Sequence, residues 1–341
     1  MHSGGDAVTQ YGAAILGCAG ERLSAAERRL FAETQPFGFI LFTRNLTGVE
    51  QIRALTAELR DSVGRNAPIF IDQEGGRVQR LRAPLVRDWL PPLDDVARFG
   101  ADAEQAMRLR YRIISAELLN LGIDGNCSPA LDVARPETHA ILRNRLLGDS
   151  VETVARLGRV VAQAHLDMGV LPVIKHMPGH GLGTLDSHLA LPRVGADRDT
   201  LDRVDFAAFR ALNDMPLGMT CHLVFEQIDP RPSTVSPVMI ELIRDRIGFD
   251  GFLMTDDIGM EALDGTVPER GAAALAAGCD AVLHCNGDLA EMTALMARVG
   301  TMPLVAIDRA ERALAARRAP ASVDMGALGA EFEALSLKHP A

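Results

Sequence analysis

Residues 171–181 read L-P-V-I-K-H-M-P-G-H-G. A short apolar run ends in polar side chains and then in a glycine- and proline-rich turn, which is the pattern of a buried strand that delivers side chains to a loop. Similar runs recur along the chain with helical stretches between them, a pattern typical of a parallel sheet with crossover helices. Eight strands close a (β/α)8 TIM-type barrel, so the sequence predicts this α/β fold. The eight runs cover 13–18, 37–42, 67–72, 123–132, 171–176, 217–223, 252–257 and 280–285.

The stretches between the runs indicate helices in a single domain. Ser24, with Glu27 three residues later, is a capping box that opens a helix toward Glu33. No linker rich in proline, glycine or serine divides the chain, so we expect residues 1–320 to form one catalytic barrel and residues 321–341 a loosely attached C-terminal tail. An open doubly wound sheet is the competing fold, but no G-x-G-x-x-G motif follows the first run. Further helices are predicted at 49–63, 101–121, 151–168, 271–277 and, as a closing helix, 306–318.

The composition of the 341 residues, 48% hydrophobic and 23% charged, predicts an ordinary soluble globular protein. A formal net charge of −10 without a basic run excludes the electrostatic footprint of a protein that binds nucleic acid or anionic membranes. No window approaches the roughly 18 apolar residues of a membrane span. Residues 15–18 (I-L-G-C) resemble a lipoprotein cleavage box but lack a basic segment before them and a long apolar segment. Five cysteines without a C-x-x-C pair predict reduced core thiols in a cytoplasmic protein.

Six of the runs end in polar residues, and in a barrel of this kind the active site lies at the C-terminal ends of the strands. Asp72 ends one run, and the nearby Gly75 and Gly76 allow the backbone to approach a ligand. A carboxylate in this place can accept hydrogen bonds from neighbouring sugar hydroxyls, and a helix cap is the alternative role. The other polar ends are Thr43-Arg44-Asn45, Lys175-His176, Thr220-Cys221-His222, Thr255-Asp256-Asp257 and His284-Cys285-Asn286.

The loop after the fifth run holds an unusual number of reactive side chains. Its histidines allow the hypothesis of a metal site made of His176, His180 and His188, although this loop lacks the helical spacing of H-E-x-x-H. Asp186 and His188 form the alternative, an acid/base dyad in which the carboxylate fixes the tautomer of the imidazole. Ser187 is a third option as a nucleophile, but it lacks a G-x-S-x-G elbow.

Two adjacent acids end the run 252–257. By the two-residue period of a strand, Met254 and Asp256 share one face, while Asp257 lies on the other. We therefore expect only one of the two carboxylates to point into the pocket. The residue pattern by itself leaves open which of them does so.

Several of these segments resemble the bacterial β-N-acetylhexosaminidases of glycoside hydrolase family 3. The resemblance runs from about residue 13 to residue 318, and its most specific parts are K-H-x-P-G-H-G followed by D-S-H, and T-D-D. The matching stretches are G-F-I-L-F-T-R-N at 38–45, I-D-Q-E-G-G-R-V-Q-R at 71–80, S-P-A-L-D-V at 128–133, K-H-M-P-G-H-G at 175–181, D-S-H at 186–188, M-T-C-H at 219–222, G-F-D-G-F-L-M-T-D-D-I-G-M at 248–260 and A-G-C-D-A-V-L-H-C-N at 277–286.

The resemblance implies a single barrel and a retaining double displacement. By motif position, Asp256 corresponds to the nucleophile, and His188, oriented by Asp186, to the general acid/base on a loop. The family pattern G-x-R-x-F-G is incomplete here, so either Arg145 or Arg143 could be its arginine, which binds the sugar. The residues that the resemblance assigns to sugar binding are Asp72, Arg80, Arg145, Lys175 and His176.

The implied activity is the release of terminal nonreducing N-acetylglucosamine from peptidoglycan fragments, in which this sugar is β-1,4-linked to 1,6-anhydro-N-acetylmuramic acid with or without a peptide. We expect no cofactor and no metal, a small carbohydrate as the partner, no nucleic acid or membrane partner, and a cytoplasmic monomer or homodimer. The alternatives are a phosphorylase of the same family, a related β-glucosidase, a zinc-dependent hydrolase that uses the histidine-rich loop, and a noncatalytic sugar-binding barrel.

Lysine is nearly absent from the chain. Only two of the 35 basic side chains are lysines, Lys175 and Lys338. Lys175 ends the fifth run, where a compact ammonium reaches a sugar hydroxyl that a planar guanidinium would overshoot. We therefore expect the substrate to depend on Lys175 and not on Lys338.

Overall fold

Residues 10–183, 191–319 and 323–340 are described by a computed structural model. Within them, eight parallel strands close into a barrel in which spatial neighbours are also neighbours in the chain. The first strand pairs with both the second and the last, which closes the sheet. Each predicted run overlaps one of these strands, so the predicted (β/α)8 barrel is confirmed. The strands are β1 (Gly12–Gly17), β2 (Pro36–Leu41), β3 (Ile69–Ile71), β4 (Gly125–Asn126), β5 (Leu171–Met177), β6 (Leu217–Thr220), β7 (Phe252–Asp257) and β8 (Ala281–His284).

Helices follow the strands, and the capping box of the first helix is present. The Ser24 hydroxyl accepts from the Glu27 N–H at 3.1 Å, and the Glu27 carboxylate accepts from the Ser24 N–H at 2.8 Å. No helix in the described ranges is long and apolar enough to cross a membrane. The helices of these ranges are α1 (Ala25–Thr34), α2 (Val49–Val63), α3 (Pro92–Phe99), α4 (Ala103–Asn120), α5 (Ala140–Arg143), α6 (Val151–Asp167), α7 (Arg198–Arg203), α8 (Asp205–Arg210), α9 (Pro237–Glu241, continued as a π-helix over Leu242–Ile247), α10 (Val267–Ala277), α11 (Leu289–Val299), α12 (Leu304–Ala315) and α13 (Met325–Lys338).

The run 123–132, the longest of the predicted runs, contains a strand of only two residues. Pro129, which has no N–H to donate to a ladder, follows soon after this strand. The contact with β5 continues through single hydrogen bonds, such as that from the Leu131 N–H to the Lys175 carbonyl oxygen at 2.7 Å. The chain therefore stays beside β5 and carries Asp132 to the rim of the barrel.

The two-residue period of the strands divides the core into two layers. In β7, Phe252 and Met254 belong to the cluster that fills the barrel, whereas Leu253 packs in the layer between the barrel and the helices. The rings of Phe252 and Phe37 face each other inside the barrel with centroids 4.5 Å apart. The barrel interior is therefore a packed core, and a binding site has to lie at one of its ends.

The closing helix predicted at 306–318 is α12, and it covers one end of the barrel. Its packing partners include Tyr11, which precedes β1, so this end is the N-terminal one. Small side chains let the helix lie close to the barrel. A binding site therefore has to lie at the opposite end of the barrel, where the strands have their C-terminal ends. The buried face of α12 consists of Ala306, Ala310 and Ala313.

The C-terminal segment corrects the expectation of a loosely attached tail. α13 packs against α4, and its Phe332 is only 2% exposed. The Phe332 ring lies edge-on to Trp89 with centroids 5.1 Å apart, and Glu333 pairs with Arg87 at 2.6 Å. Because apolar residues recur on one face of α13, the helix stays on the body of the protein. This buried face contains Leu328, Phe332 and Leu335.

Glu117 of α4 makes the stability of this region depend on pH. Its Oε1 accepts from the Arg87 N–H at 3.3 Å, but its buried Oε2 has no hydrogen-bond partner within the described ranges. Burial raises the pKa of Glu117 to about 7. Between about pH 4 and this value the folded chain keeps a proton that the unfolded chain has released, so the free energy of unfolding falls as the pH rises through this interval.

Glu117→Gln is expected to raise the free energy of unfolding by about 1–2 kcal/mol at pH 8 and to leave it unchanged at pH 4, because glutamine resembles the protonated acid. Urea unfolding of both proteins at the two pH values measures the difference. An equal difference at both pH values would show that the charge of Glu117 is not its cause.

Candidate active site

A cavity of about 210 Å³ opens at the C-terminal end of the barrel. Its floor is apolar and consists of barrel-filling side chains, namely Ile40 of β2, Met219 of β6 and Leu283 of β8. Two predicted catalytic residues, Asp186 and His188, lie outside the described residues, as does Ser187. The predicted site residues that line the cavity are Asp72, Arg80, Arg145, Lys175, His176 and Asp256.

Lys175 is buried between two carboxylates. Its Nζ lies 2.9 Å from Asp72 Oδ1 and 2.6 Å from Glu74 Oε1, and its side chain is 2% exposed. Burial alone would lower the pKa of Lys175, but the two carboxylates hold it above its ordinary value. Burial alone would raise the pKa of Asp72, but Lys175 and Arg80 hold it well below its usual range. These groups are therefore fully charged at neutral pH, and each buried charge has a partner.

Arg145, rather than Arg143, reaches the cavity. Its Nε and Nη2 donate to the two oxygens of Glu74 at 2.9 and 2.8 Å, a bidentate pair. Arg143 lies on the outside and donates to the carbonyl oxygen of Arg135. The structure thus places only one of these two arginines where a ligand in the cavity can meet it.

Glu74 is a site residue that the sequence reasoning missed. It contacts both Lys175 and Arg145, although it does not itself line the cavity. Burial alone would raise the pKa of Glu74, but Arg145 and Lys175 lower it to about 2. Its position in I-D-Q-E-G-G could have revealed it. Glu74 comes two residues after Asp72, and in an extended chain side chains two residues apart lie on the same side.

Arg80 returns to the cavity because the chain turns back after Asp72. The segment Gln73–Gly75 pairs antiparallel with Val78–Gln79. The side-chain oxygen of Gln73 accepts from the Arg80 N–H at 3.0 Å, which fixes this return. Arg80 Nη2 then donates to Asp72 Oδ2 at 3.1 Å.

Asp132 holds the loop that follows β5 and is a second residue that the sequence reasoning missed. Its Oδ2 lies 2.8 Å from His176 Nδ1, and its Oδ1 accepts from the His180 N–H at 2.6 Å. Burial alone would raise the pKa of Asp132, but His176 lowers it, so the carboxylate is ionised. Nδ1 of His176 therefore carries a proton. The signal was the position of Asp132 in S-P-A-L-D-V, at the end of the fourth run.

Both acids at the end of β7 line the cavity, so the expectation that only one can point inward is wrong. Met254 pairs with Ala281 of β8, and Asp257 pairs with Leu283. Between these two pairs the chain advances three residues along β7 but only two along β8. This extra residue is a β-bulge, and a bulge shifts the alternation of the side chains beyond it. Asp256 keeps the inward phase of Met254, and Asp257 joins it after the bulge.

The Asp256 carboxylate is ionised at neutral pH. Burial alone would raise its pKa, but His176 and the N–H of Asp257 lower it below the ordinary value. The Asp257 N–H donates to Asp256 Oδ1 at 2.8 Å. An ionised carboxylate at the wall of a cavity can act as a nucleophile or stabilise a developing positive charge.

The described part of the chain does not test the hypothesis of a zinc site. No group of three or more histidine, cysteine, aspartate or glutamate side chains in that part has the arrangement needed to hold a metal ion. The rings of His176 and His180 are neighbours, with centroids 5.7 Å apart. The third proposed ligand, His188, lies outside the described residues.

The fold and the cavity agree with the relatives of this chain. Residues 8–315 match the family described as Glycosyl hydrolase family 3 N terminal domain. A β-hexosaminidase of Alkalilimnicola ehrlichii is 39% identical over 284 residues, which cover 81% of each chain. A β-hexosaminidase of Chromobacterium violaceum is 37% identical over 284 residues, which cover 81% of this chain and 79% of that one.

Solved structures show the same similarity. NagZ from Neisseria gonorrhoeae in complex with N-trifluoroacetyl-D-glucosamine superposes with a TM-score of 0.82 at 30% identity, covering 96% of this chain and 97% of that one. A family 3 β-N-acetylglucosaminidase from a Paenibacillus species gives a TM-score of 0.81 at 31% identity, covering 96% of this chain and 67% of that one. The family match spans the whole barrel, so the chain belongs to glycosyl hydrolase family 3 and is a glycosidase.

Proposed function

We propose that the protein is a retaining β-N-acetylglucosaminidase that acts on peptidoglycan fragments. The observation that carries the proposal is the arrangement of charges around one cavity. Asp256 is the last but one residue of β7, whereas Asp72 follows β3, which is four strands away in a ring of eight. The two carboxylates therefore stand across the barrel mouth. A sugar in the cavity is held through its hydroxyls by Asp72, Lys175 and Arg145 and presents its anomeric carbon to Asp256.

In the first step, Asp256 acts as the nucleophile. One of its oxygens forms a bond to the anomeric carbon while the bond from that carbon to the leaving oxygen breaks. The leaving oxygen takes a proton from His188. This step yields a glycosyl ester on Asp256 and releases the remainder of the substrate.

In the second step, water resolves the ester. His188, now neutral, takes a proton from the water as the water oxygen bonds to the anomeric carbon and the ester bond to Asp256 breaks. Asp186 fixes the tautomer of His188 for this exchange. Two inversions leave the released N-acetylglucosamine in the β configuration.

The proposed substrate is N-acetylglucosamine β-1,4-linked to 1,6-anhydro-N-acetylmuramic acid, with or without a peptide. Two similarities support it: the sequence resembles bacterial β-N-acetylhexosaminidases, and the similar NagZ structure binds an N-acylated glucosamine. The compartment is proposed to be the cytoplasm. All five cysteines are free buried thiols, which is the state that a reducing compartment maintains.

The purified protein is expected to release 4-nitrophenol from 4-nitrophenyl β-N-acetylglucosaminide. Proton NMR of the first turnovers should show β-N-acetylglucosamine before it equilibrates, because the mechanism retains configuration. The matched 4-nitrophenyl β-glucoside lacks the acetamido group and should react at least about 10-fold more slowly in kcat/KM. If the α anomer forms first, the double displacement is wrong.

Two further assays compare natural disaccharide substrates and test the effect of inorganic phosphate. The disaccharide with the anhydro sugar should be cleaved with a higher kcat/KM than chitobiose, and a preference for chitobiose would contradict the peptidoglycan assignment. Added inorganic phosphate should leave the product unchanged. Formation of N-acetylglucosamine 1-phosphate would instead identify a phosphorylase.

A further inference from the structure

His222 belongs to the M-T-C-H stretch, and no step of the proposed reaction uses it. It follows β6, is fully buried and does not line the cavity. A buried histidine in such a place needs partners for both ring nitrogens. Its partners connect it to the proposed nucleophile.

The hydrogen bonds of His222 define its tautomer. Its Nε2 lies 2.9 Å from the carbonyl oxygen of Asp257, which can only accept, so Nε2 carries a proton. Burial lowers the pKa of His222, so the ring is neutral and Nδ1 accepts from the Thr234 hydroxyl at 2.8 Å. The Thr234 hydroxyl has one proton, and the Cys221 carbonyl oxygen lies within its reach at 3.1 Å, but the shorter contact to the unprotonated Nδ1 takes it. Thr234 Oγ1 is then free to accept from the Thr220 hydroxyl, which lies 2.7 Å away. The two hydroxyls thus select the tautomer that donates to Asp257.

Asp257 is held on several sides. Its Oδ1 accepts from the N–H groups of Cys285 at 3.2 Å and Gly259 at 3.0 Å. Its carbonyl oxygen accepts from the Met260 N–H at 3.1 Å in addition to the imidazole. Its own N–H donates to Asp256 Oδ1 at 2.8 Å. The orientation of Asp257 therefore decides where this N–H points.

We propose that His222 is a positioning residue for the Asp256 carboxylate. By donating to the Asp257 carbonyl, His222 fixes Asp257 from the side of β6, which keeps the Asp257 N–H on one oxygen of Asp256 and leaves the other oxygen for the anomeric carbon. The inference rests on the proposed role of Asp256 as the nucleophile.

The bulge in β7 is the physical reason why such support is needed. An extra residue interrupts the ladder between β7 and β8 near the proposed nucleophile, and the paired residues of β7 and β6 end at Met254 and Met219. The regular ladder with β6 therefore stops before Asp256 and Asp257. A nucleophile displaced by about 1 Å can lose on the order of 100-fold in rate. His222, which follows β6, supplies a hydrogen bond to Asp257 beyond the end of that ladder and so helps to hold the attack geometry.

His222→Phe is expected to lower kcat for 4-nitrophenyl β-N-acetylglucosaminide by about 10- to 100-fold, with KM and the inhibition constant of N-acetylglucosamine within about twofold of wild type. His222→Gln should recover most of kcat, because its amide nitrogen can donate as Nε2 does. Wild-type kcat in His222→Phe, equal loss in both variants, or sugar binding that weakens in parallel with kcat would each overturn the proposal.

A second pair of variants leaves the imidazole in place. Thr234→Val removes the hydroxyl that selects the tautomer and should lower kcat by about 3- to 10-fold, whereas Thr234→Ser keeps the hydroxyl and should stay near wild type. This pair decides the proposal if His222→Phe does not fold. Equal kcat values for the two variants would overturn it.

The outcome for Asp256 separates this inference from the proposed function. If Asp256→Asn abolishes turnover while the His222 and Thr234 variants keep wild-type kcat, only the positioning role is wrong. If Asp256→Asn turns over normally, the proposed function is wrong, and with it the premise of the positioning role.

Discussion

Asp256→Asn is expected to lower kcat for an aryl β-N-acetylglucosaminide by at least about 10³-fold. Asparagine has nearly the same shape, and its oxygen can still accept from the Asp257 N–H, but a neutral amide does not attack the anomeric carbon. The affinity for N-acetylglucosamine should change by less than about threefold, because the proposed sugar ligands Asp72, Lys175 and Arg145 remain in the cavity. Initial rates and product inhibition measure the two effects.

The neighbouring acid provides the matched control. Asp257→Asn keeps an oxygen that accepts from the N–H groups of Cys285 and Gly259, so kcat should fall by less than about 10-fold. A larger loss in Asp257→Asn than in Asp256→Asn would reverse the assignment of the nucleophile.

A rescue experiment tests the same role by chemistry. Asp256→Ala leaves space beside the anomeric carbon, and azide is expected to attack there and to yield an N-acetylglucosaminyl azide of α configuration. The azide nitrogen forms the new bond as the bond to 4-nitrophenolate breaks. Formation of the β azide, or no rescue by azide at any concentration, would count against attack by Asp256 from the α face.

Lys175→Arg is expected to raise KM by at least about 10-fold, which corresponds to about 1.4 kcal/mol of binding energy. The Lys175 ammonium fits between Asp72 and Glu74 with 2% of the side chain exposed, so a larger planar guanidinium does not fit without displacing one of them. Overpacking of this kind should also lower the free energy of unfolding by about 1–3 kcal/mol. Steady-state kinetics and urea unfolding measure the two losses.

The other lysine of the chain is the control. Lys338 is exposed on α13, so Lys338→Arg should change neither KM nor, beyond about 0.5 kcal/mol, the free energy of unfolding. Equal and negligible effects of the two substitutions would mean that the scarcity of lysine reflects composition alone.

The barrel and the location of the site were predictable from the sequence. Each strand is a short apolar run bounded by turn residues, and the ends of parallel strands meet at one rim, so polar side chains at the run ends converge. Asp72, Lys175 and Asp256 line one cavity for this reason. The helix α13 could also have been predicted, because its buried side chains recur at helical spacing. Its packing against the barrel domain could not, because the sequence does not show which surface it contacts.

The partners of the buried charges were not predictable. In the sequence, Glu74 and Asp132 resemble ordinary acidic residues of loops. In the structure, Glu74 pairs with Lys175 and Arg145, and Asp132 pairs with His176. These pairs join residues that are distant in the chain, and the energy of a charge pair depends on its distance in space and on its burial. No local pattern contains either quantity.

The sequence by itself determined the number and order of the strands and the rim at which the reactive side chains gather, because burial and the two-residue period are properties of neighbouring residues. Only the tertiary structure decided that Arg145 rather than Arg143 enters the cavity and that both acids at the end of β7 line it. The bulge that turns Asp257 inward arises from the register between β7 and β8. Register is a relation between two strands, so it exists only once those strands have paired in the folded sheet.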